Sequence, residues 1–94
     1  MAKIVADQLV EMLVQAGVKR VYAVTGDSLN FFNEAIRKDG RIKWIHVRHE
    51  EVGAYAAAAE AELDGIACCA GSCGPGHVHL INGMYDAHKS HVPM

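Results

Sequence analysis

The amino-acid sequence predicts an α/β fold: a partial parallel sheet with helices on both faces. Short runs of β-branched and aromatic residues alternate with longer amphipathic segments along the chain. The turns between them are short, which favours right-handed β-α-β crossovers. The chain has 94 residues, of which 51% are hydrophobic and 21% charged, so it has room for one hydrophobic core.

The first predicted element is a helix over residues 4–16, and the second is a strand over residues 20–25. The apolar side chains of the helix recur at helical spacing: Val5, Leu9, Met12, Leu13 and Ala16. Gly17 follows as a suitable C-terminus. The strand, RVYAVT, is rich in β-branched and aromatic residues.

A helix, a strand and another helix come next. Residues 26–38 predict a helix with Asp27 and Ser28 as candidate N-caps. The segment IKWIHV at 42–47 predicts a strand. The alanine-rich segment 48–63 predicts a helix with an acidic first turn.

The last third predicts a strand at 65–70, a helix at 77–90 and the start of a fourth strand at 91–94. Three complete parallel strands leave a sheet edge that such folds normally cover. We therefore expect residues 1–94 to be the N-terminal part of a larger domain, or a subunit that another chain completes. A naturally short protein with a C-terminal tail is the alternative.

The composition excludes several classes of function. A net charge of −2, with scattered Lys and Arg, leaves no basic face for nucleic acid. No run approaches the roughly 18 apolar residues of a membrane-spanning helix, and the start MAKIVADQ lacks a signal peptide. The clustered Cys68, Cys69 and Cys73 are expected to be free thiols. We therefore expect a cytoplasmic location.

Three loops after predicted strands, at 26–28, 48–51 and 71–76, should meet at the carboxyl edge of the sheet, where open α/β folds bind ligands. The glycines of the third loop, GSCGPG, precede a helix N-terminus that could hold an anion. The order is not G-x-G-x-x-G, however, and Pro75 lacks an amide donor. The pattern favours a tight turn and leaves a ligand loop as the alternative.

Glu50 and Glu51 begin a helix directly after a strand. Complementing the helix dipole explains both without any function. Burial of one carboxyl at the sheet edge would raise its pKa and let it exchange protons near neutrality. Asp27 is likewise either an N-cap or an active-site acid. His77 and His79 would face opposite sides of a helix, and we predict no metal site.

Three stretches resemble, in order and spacing, the N-terminal pyrimidine-binding domain of thiamine diphosphate-dependent enzymes. They are AGVKRVYAVTGDSLN, VRHEEVGAYAAAAEAEL and CAGSCGPGHVHLINGMYDAHKSHVPM, and together they cover most of the chain. The pattern is most like that of pyruvate oxidases, including the quinone-linked pyruvate dehydrogenase type. Acetolactate synthases and related decarboxylases share much of it.

The resemblance implies roles for particular residues. Glu50 matches the glutamate whose carboxyl hydrogen-bonds N1′ of the aminopyrimidine and thereby promotes loss of the thiazolium C2 proton. Glu51 would be structural. Gly74, Pro75 and Gly76 would lie near the aminopyrimidine end of thiamine diphosphate, and the diphosphate would be bound elsewhere.

Three further residues, His79, Asn82 and Asp27, match positions near the cofactor. The resemblance also implies a full-length parent, a homo-oligomer that decarboxylates pyruvate oxidatively. That parent would bind Mg²⁺ and FAD through parts that this chain lacks, and any membrane association would come from its C-terminal part. The 94-residue chain alone would be inactive. Two alternatives remain: a fragment of an acetolactate synthase-like enzyme, and a non-catalytic α/β interaction module or truncated gene product.

Overall fold

The structure is a computed structural model that describes residues 2–94. Its described residues form one parallel sheet in the order β2-β1-β3. The strands are β1 (Arg20–Ala23), β2 (Lys43–His46) and β3 (Cys68–Ala70). The helices of the described chain are α1 (Val5–Ala16), α2 (Asn30–Asp39), α3 (Glu50–Asp64), α4 (Pro75–His79) and α5 (Ile81–Ser90). The predicted α/β class is confirmed.

The carboxyl ends of the three strands lie side by side. Ala23 at the end of the central strand β1 pairs with His46 of β2 and with Ala70 of β3. The loops that follow the strands therefore share one edge of the sheet, as the sequence predicted.

The predicted helix at 26–38 begins later than expected. Residues Asp27–Leu29 form a 3₁₀ turn, and α2 starts at Asn30. Neither Asp27 nor Ser28 makes the predicted N-cap hydrogen bond. Ser28 does not cap the helix because its hydroxyl hydrogen-bonds with Ser72 in the loop after β3.

The predicted helix at 77–90 is two helices and begins two residues earlier, at Pro75, which suits a first helical position. The amide of Leu80 donates to the carbonyl of His77, three residues back, and this tighter bond separates α4 from α5. Leu80 itself is buried.

Residues 91–94, where the sequence predicts the start of a fourth strand, contain no strand in the structure. His91 ends α5 in a left-handed conformation, with φ of 56°. The backbone contact of this segment with the sheet is one hydrogen bond, from the amide of Ala67 to the carbonyl of Pro93. One hydrogen bond does not make a ladder, and the described structure has its last element, α5, ending at Ser90.

Helices cover both faces of the sheet. On one face, α1 and α2 pack against β1, and the apolar side chains buried there include Val10, Val21, Ile36 and Ile42. On the other face, α3 packs against β1 and β3, where Ala57, Ala61 and Ala67 form the buried cluster, and α5 packs against α3. Arg20 at the start of β1 pairs with Glu60 of α3 and holds that helix over the sheet.

Beside β3, apolar surface is open to solvent. A groove of about 500 Å³ runs along this edge, and its lining includes Ile66, Cys68, Leu80, Ile81, Met84 and Met94. Tyr85 on α5 is 67% exposed. Among residues 2–94, none of the helices combines the length and the hydropathy needed to cross a membrane.

Candidate functional site

The loops after β1 and β3 are joined by polar contacts. The hydroxyls of Ser28 and Ser72 lie 2.8 Å apart, and the amide of Cys73 donates to Ser28 Oγ at 2.9 Å. A Cβ on Gly26 would lie 2.5 Å from Ser72 Oγ, so only glycine allows this approach. These contacts fix one side of the shared edge of the sheet. We call this edge the rim; it consists of loops 24–29, 47–49 and 71–74 and the first residues of the helices that follow them.

Glu50 is the buried carboxylate of the rim. It is the first residue of α3, directly after the loop that follows β2, and it is 9% exposed. His49 is the N-cap of this helix, because its Nδ1 accepts a hydrogen bond from the amide of Glu51 at 3.1 Å. The cap fixes where α3 begins and thereby directs Glu50 into the site.

Two histidine rings adjoin the Glu50 carboxylate. His79 Nδ1, from α4, lies 3.0 Å from Glu50 Oε2. The rings of His79 and His49 are stacked, with centroids 4.4 Å apart and planes 26° apart. His49, before α3, and His79, at the end of α4, thus converge on one carboxyl group.

The electrostatics differ from the sequence expectation. The hydrogen bond from His79 lowers the pKa of Glu50 below its ordinary value and outweighs the opposing effect of burial. The predicted burial of a rim carboxyl is therefore found, but the predicted rise of its pKa is wrong for this structure. The sequence pattern could not show that a histidine 29 residues later would lie beside Glu50.

The G-P-G turn packs against the same carboxylate. A Cβ on Gly76 would lie 2.8 Å from Glu50 Oε1, and one on Gly71 would lie 2.6 Å from the carbonyl oxygen of Gly76. The amides of His77 and Val78 both donate to the carbonyl of Gly74. Two amides at the start of α4 are therefore already bonded, and the turn is closely packed at the rim, as the pattern favoured.

The other predicted site residues lie around this centre. Asp27 is exposed in the 3₁₀ turn after β1, and Asn82 is exposed in the first turn of α5. Gly74 and Pro75 are exposed at the start of α4. Their predicted roles stay predictions. His49 is the rim residue that sequence reasoning missed, although its place directly before an acidic helix start was a usable signal.

His49, Glu50 and His79 could also hold a metal ion, since one ligand atom of each lies within 4.8 Å of the others. Two observations oppose that reading. The Nδ1 of His49 is engaged as the helix cap. The stacked rings direct their in-plane lone pairs along nearly parallel planes instead of towards one point.

The cysteines lie at the edges of the site. The structure has Cys68, Cys69 and Cys73 as free thiols, as predicted. Burial raises the pKa of Cys68 to about 11, which makes it a poor nucleophile. Packing is therefore the role that the structure supports for Cys68.

Comparison with known proteins gives a family. Residues 3–94 match the family described as "Thiamine pyrophosphate enzyme, N-terminal TPP binding domain". The chain is 49% identical over 88 residues to a pyruvate oxidase of Lactiplantibacillus plantarum, covering 92% of this chain and 15% of that protein. It is 48% identical over 94 residues to a putative thiamine pyrophosphate-containing protein of Bacillus subtilis, covering 98% and 16%.

A chloroplastic acetolactate synthase of Brassica napus is more distant, at 34% identity over 90 residues, covering 95% of this chain and 14% of the synthase. The chain thus spans about a sixth of the length of these curated relatives. The match over residues 3–94 agrees with the parallel sheet described above. The chain belongs to the family of thiamine pyrophosphate (thiamine diphosphate) enzymes, matching their N-terminal TPP binding domain over residues 3–94.

Proposed function

We propose that this chain is the N-terminal part of a thiamine diphosphate-dependent enzyme that decarboxylates pyruvate oxidatively. In this proposal Glu50 is the catalytic carboxylate that activates the cofactor. The observation that carries the proposal is the buried Glu50 carboxylate at the rim, in contact with Gly76 of the G-P-G turn.

The rim fits the aminopyrimidine end of thiamine diphosphate. A side chain on residue 76 would collide with Glu50 Oε1. Because residue 76 is glycine, a flat group can approach the carboxylate closely. His79 contacts the same carboxylate through Nδ1, and the ring of His49 is stacked on that of His79. The amides of His77 and Val78, which follow the turn, are bonded to Gly74, which supports binding of the diphosphate elsewhere in the full-length protein.

The residues of this chain would each have a distinct task. When bound, thiamine diphosphate supplies the electron sink that decarboxylation needs. The Glu50 carboxylate would exchange a proton with a nitrogen of the aminopyrimidine ring. His79 would stabilise the ionised carboxylate by its hydrogen bond. The glycines of the turn would keep this approach free of side chains.

Pyruvate as substrate is proposed from the relatives. Identity is 49% to the pyruvate oxidase and 34% to the acetolactate synthase over nearly the same stretch of chain, which supports oxidase-type chemistry. An acetolactate synthase-like parent is the second candidate. The non-catalytic module is disfavoured, since the rim retains a buried carboxylate that costs free energy to bury.

The remaining features of the parent are part of this proposal. Mg²⁺ and FAD would bind to regions outside residues 1–94. A homo-oligomer is supported by exposed apolar side chains on α5, where Met84 is 50% and Tyr85 67% exposed. A cytoplasmic location is supported by three free thiols.

The test is replacement of Glu50 by Gln in the full-length enzyme that carries this domain. Gln is nearly isosteric and suits the first turn of a helix, so the fold should be kept. Exchange of the C2 proton of bound thiamine diphosphate, followed by NMR after transfer into D₂O, should slow by about 10²- to 10⁴-fold.

Glu51→Gln is the matched control, one residue along the same helix. It should leave the exchange rate nearly unchanged, because Glu51 contributes its amide and not its carboxylate to the described contacts of the rim. Equal effects of the two substitutions, or a larger effect of Glu51→Gln, would show that the catalytic carboxylate is wrongly assigned.

A further inference from the structure

We propose that His49 is a positioning residue whose ring holds His79 against the Glu50 carboxylate while its Nδ1 caps α3. Two contacts of His49 carry this inference. One is the hydrogen bond from the amide of Glu51 to Nδ1 at 3.1 Å, and the other is the stack on His79 at 4.4 Å.

The cap determines where the His49 ring lies. Because Nδ1 accepts the hydrogen bond of a backbone amide, this ring carries its hydrogen on Nε2 in the observed conformation. The acceptor is tied to the first turn of α3, the same turn that begins with Glu50. The ring of His49 is therefore held at a fixed position relative to the Glu50 backbone.

His79 needs such a fixed surface. Its side chain is 43% exposed and projects from α4, which is only five residues long. An exposed imidazole on a short helix has other rotamers open to it, in which Nδ1 would face solvent. Stacking on a ring already fixed by the cap favours the rotamer in which Nδ1 lies 3.0 Å from Glu50 Oε2.

The functional consequence concerns the ionised carboxylate. The hydrogen bond from His79 is the largest cause of the lowered pKa of Glu50. Loss of the stack should release His79 and return this pKa towards its ordinary value. The importance of His49 to the enzyme rests on the proposed function of Glu50, but the contacts themselves can be tested without cofactor.

The experiment is NMR on the chain with His49→Asn, compared with the unmodified chain. Asn is a favourable N-cap, so it should replace the hydrogen bond to the Glu51 amide and keep the melting temperature nearly unchanged. It cannot stack as an imidazole does. We expect the ¹⁵N shift of His79 Nδ1 to lose its hydrogen-bonded value and the ¹³C-detected titration of the Glu50 carboxyl to move to higher pH.

Two further variants separate positioning from capping. His49→Ala removes both contacts, so it should repeat the NMR changes and also lower the melting temperature. His91→Asn is the matched control, because His91 lies at the far end of α5 in a left-handed conformation that Asn tolerates. It should change neither the Glu50 titration nor the His79 shift.

The outcomes are decisive in both directions. An unchanged Glu50 titration and an unchanged His79 signal in His49→Asn would overturn the inference and leave His49 as a cap alone. A large loss of stability in His49→Asn would also count against it, because the role would then lie in the fold. Since none of these measurements uses thiamine diphosphate, their failure is distinct from a failure of Glu50→Gln to slow C2 proton exchange.

Discussion

The two faces of the sheet are built from different residues. Beneath α1 and α2 the core consists of large side chains such as Val10, Val21 and Ile36. Beneath α3 it consists of alanines, and Gly83 brings the backbones of α3 and α5 together. At Gly83 of α5, a Cβ would lie 2.2 Å from the Cβ of Ala54 on α3.

The two faces of the sheet therefore serve different purposes: one mainly stabilises the fold, and the other mainly positions the site. Large buried side chains supply most of the free energy from apolar burial. Small residues supply less, but they let α3 and α5 pack closely and fix the first turn of α3, where Glu50 lies. We therefore expect the first face to be sensitive to loss of volume and the second to gain of volume.

The largest predicted effect is loss of volume on the first face. Ile36 is 2% exposed, and Ile36→Ala should lower the free energy of unfolding by about 2–5 kcal/mol. Urea denaturation of the chain measures this. Leu63→Ala, at a position 88% exposed on α3, is the control and should change stability by less than about 0.5 kcal/mol. Similar losses in both variants would contradict the description of the first face as the main core.

Gain of volume on the second face should have the next largest effect. Gly83→Ala gains about 1 kcal/mol in helix propensity but meets Ala54, and overpacking costs about 1–3 kcal/mol. We therefore expect a net loss of up to about 2 kcal/mol, measured by the same denaturation. A stabilised Gly83→Ala variant would show that this helix contact is looser than described.

The double variant Ala54→Gly/Gly83→Ala sharpens the same test. It removes the contact between the two Cβ atoms, although the backbone of Ala54 would still lie 2.9 Å from the new Cβ. The two substitutions should therefore be non-additive, with the double variant more stable than the sum of the single effects predicts.

The sequence predicted much of the fold because periodicity and turn residues are local signals. The helix over 4–16 was right to within one residue, since Gly17 adopts φ of 100° and ends it. The start of a fourth strand predicted at 91–94 is not a strand in the structure, because strand formation needs a ladder of backbone bonds and this segment makes one bond to the sheet.

The site was predictable in part for the same reason. The sequence indicated that Glu50 starts a helix at the rim, and the structure adds its burial. The contacts of Glu50 with His79 and of Ser28 with Ser72 join residues 29 and 44 positions apart, so no local pattern could reveal them. The lowered pKa of Glu50 follows from such a contact and was missed with it.

The smallest predicted effect compares carboxylates of the two regions at low pH. The hydrogen bond from His79 lowers the pKa of Glu50 below the ordinary value of 4.5. Hydrogen bonds from Arg37 likewise lower the pKa of Glu34 on α2. A carboxylate whose pKa is lowered by folding makes its full contribution to stability when the pH is above its ordinary pKa. This contribution is lost as the pH falls through the lowered pKa. The stability differences between the unmodified chain and Glu50→Gln or Glu34→Gln should therefore shrink in acid below about pH 4.5.

Salt distinguishes the two carboxylates. Glu34 and Arg37 form an exposed pair on α2, so about 1 M NaCl should remove most of the effect of Glu34→Gln at neutral pH. Glu50 is buried, so much of its effect should persist in the same salt, because screening is weaker for buried pairs. Thermal melting at about pH 7 and pH 3, with and without salt, measures both differences. Equal salt sensitivity of the two variants would mean that the Glu50 carboxylate is as solvated as a surface group. The electrostatic difference between the rim and the first face would then be disproved, while the difference in packing between the two faces would remain.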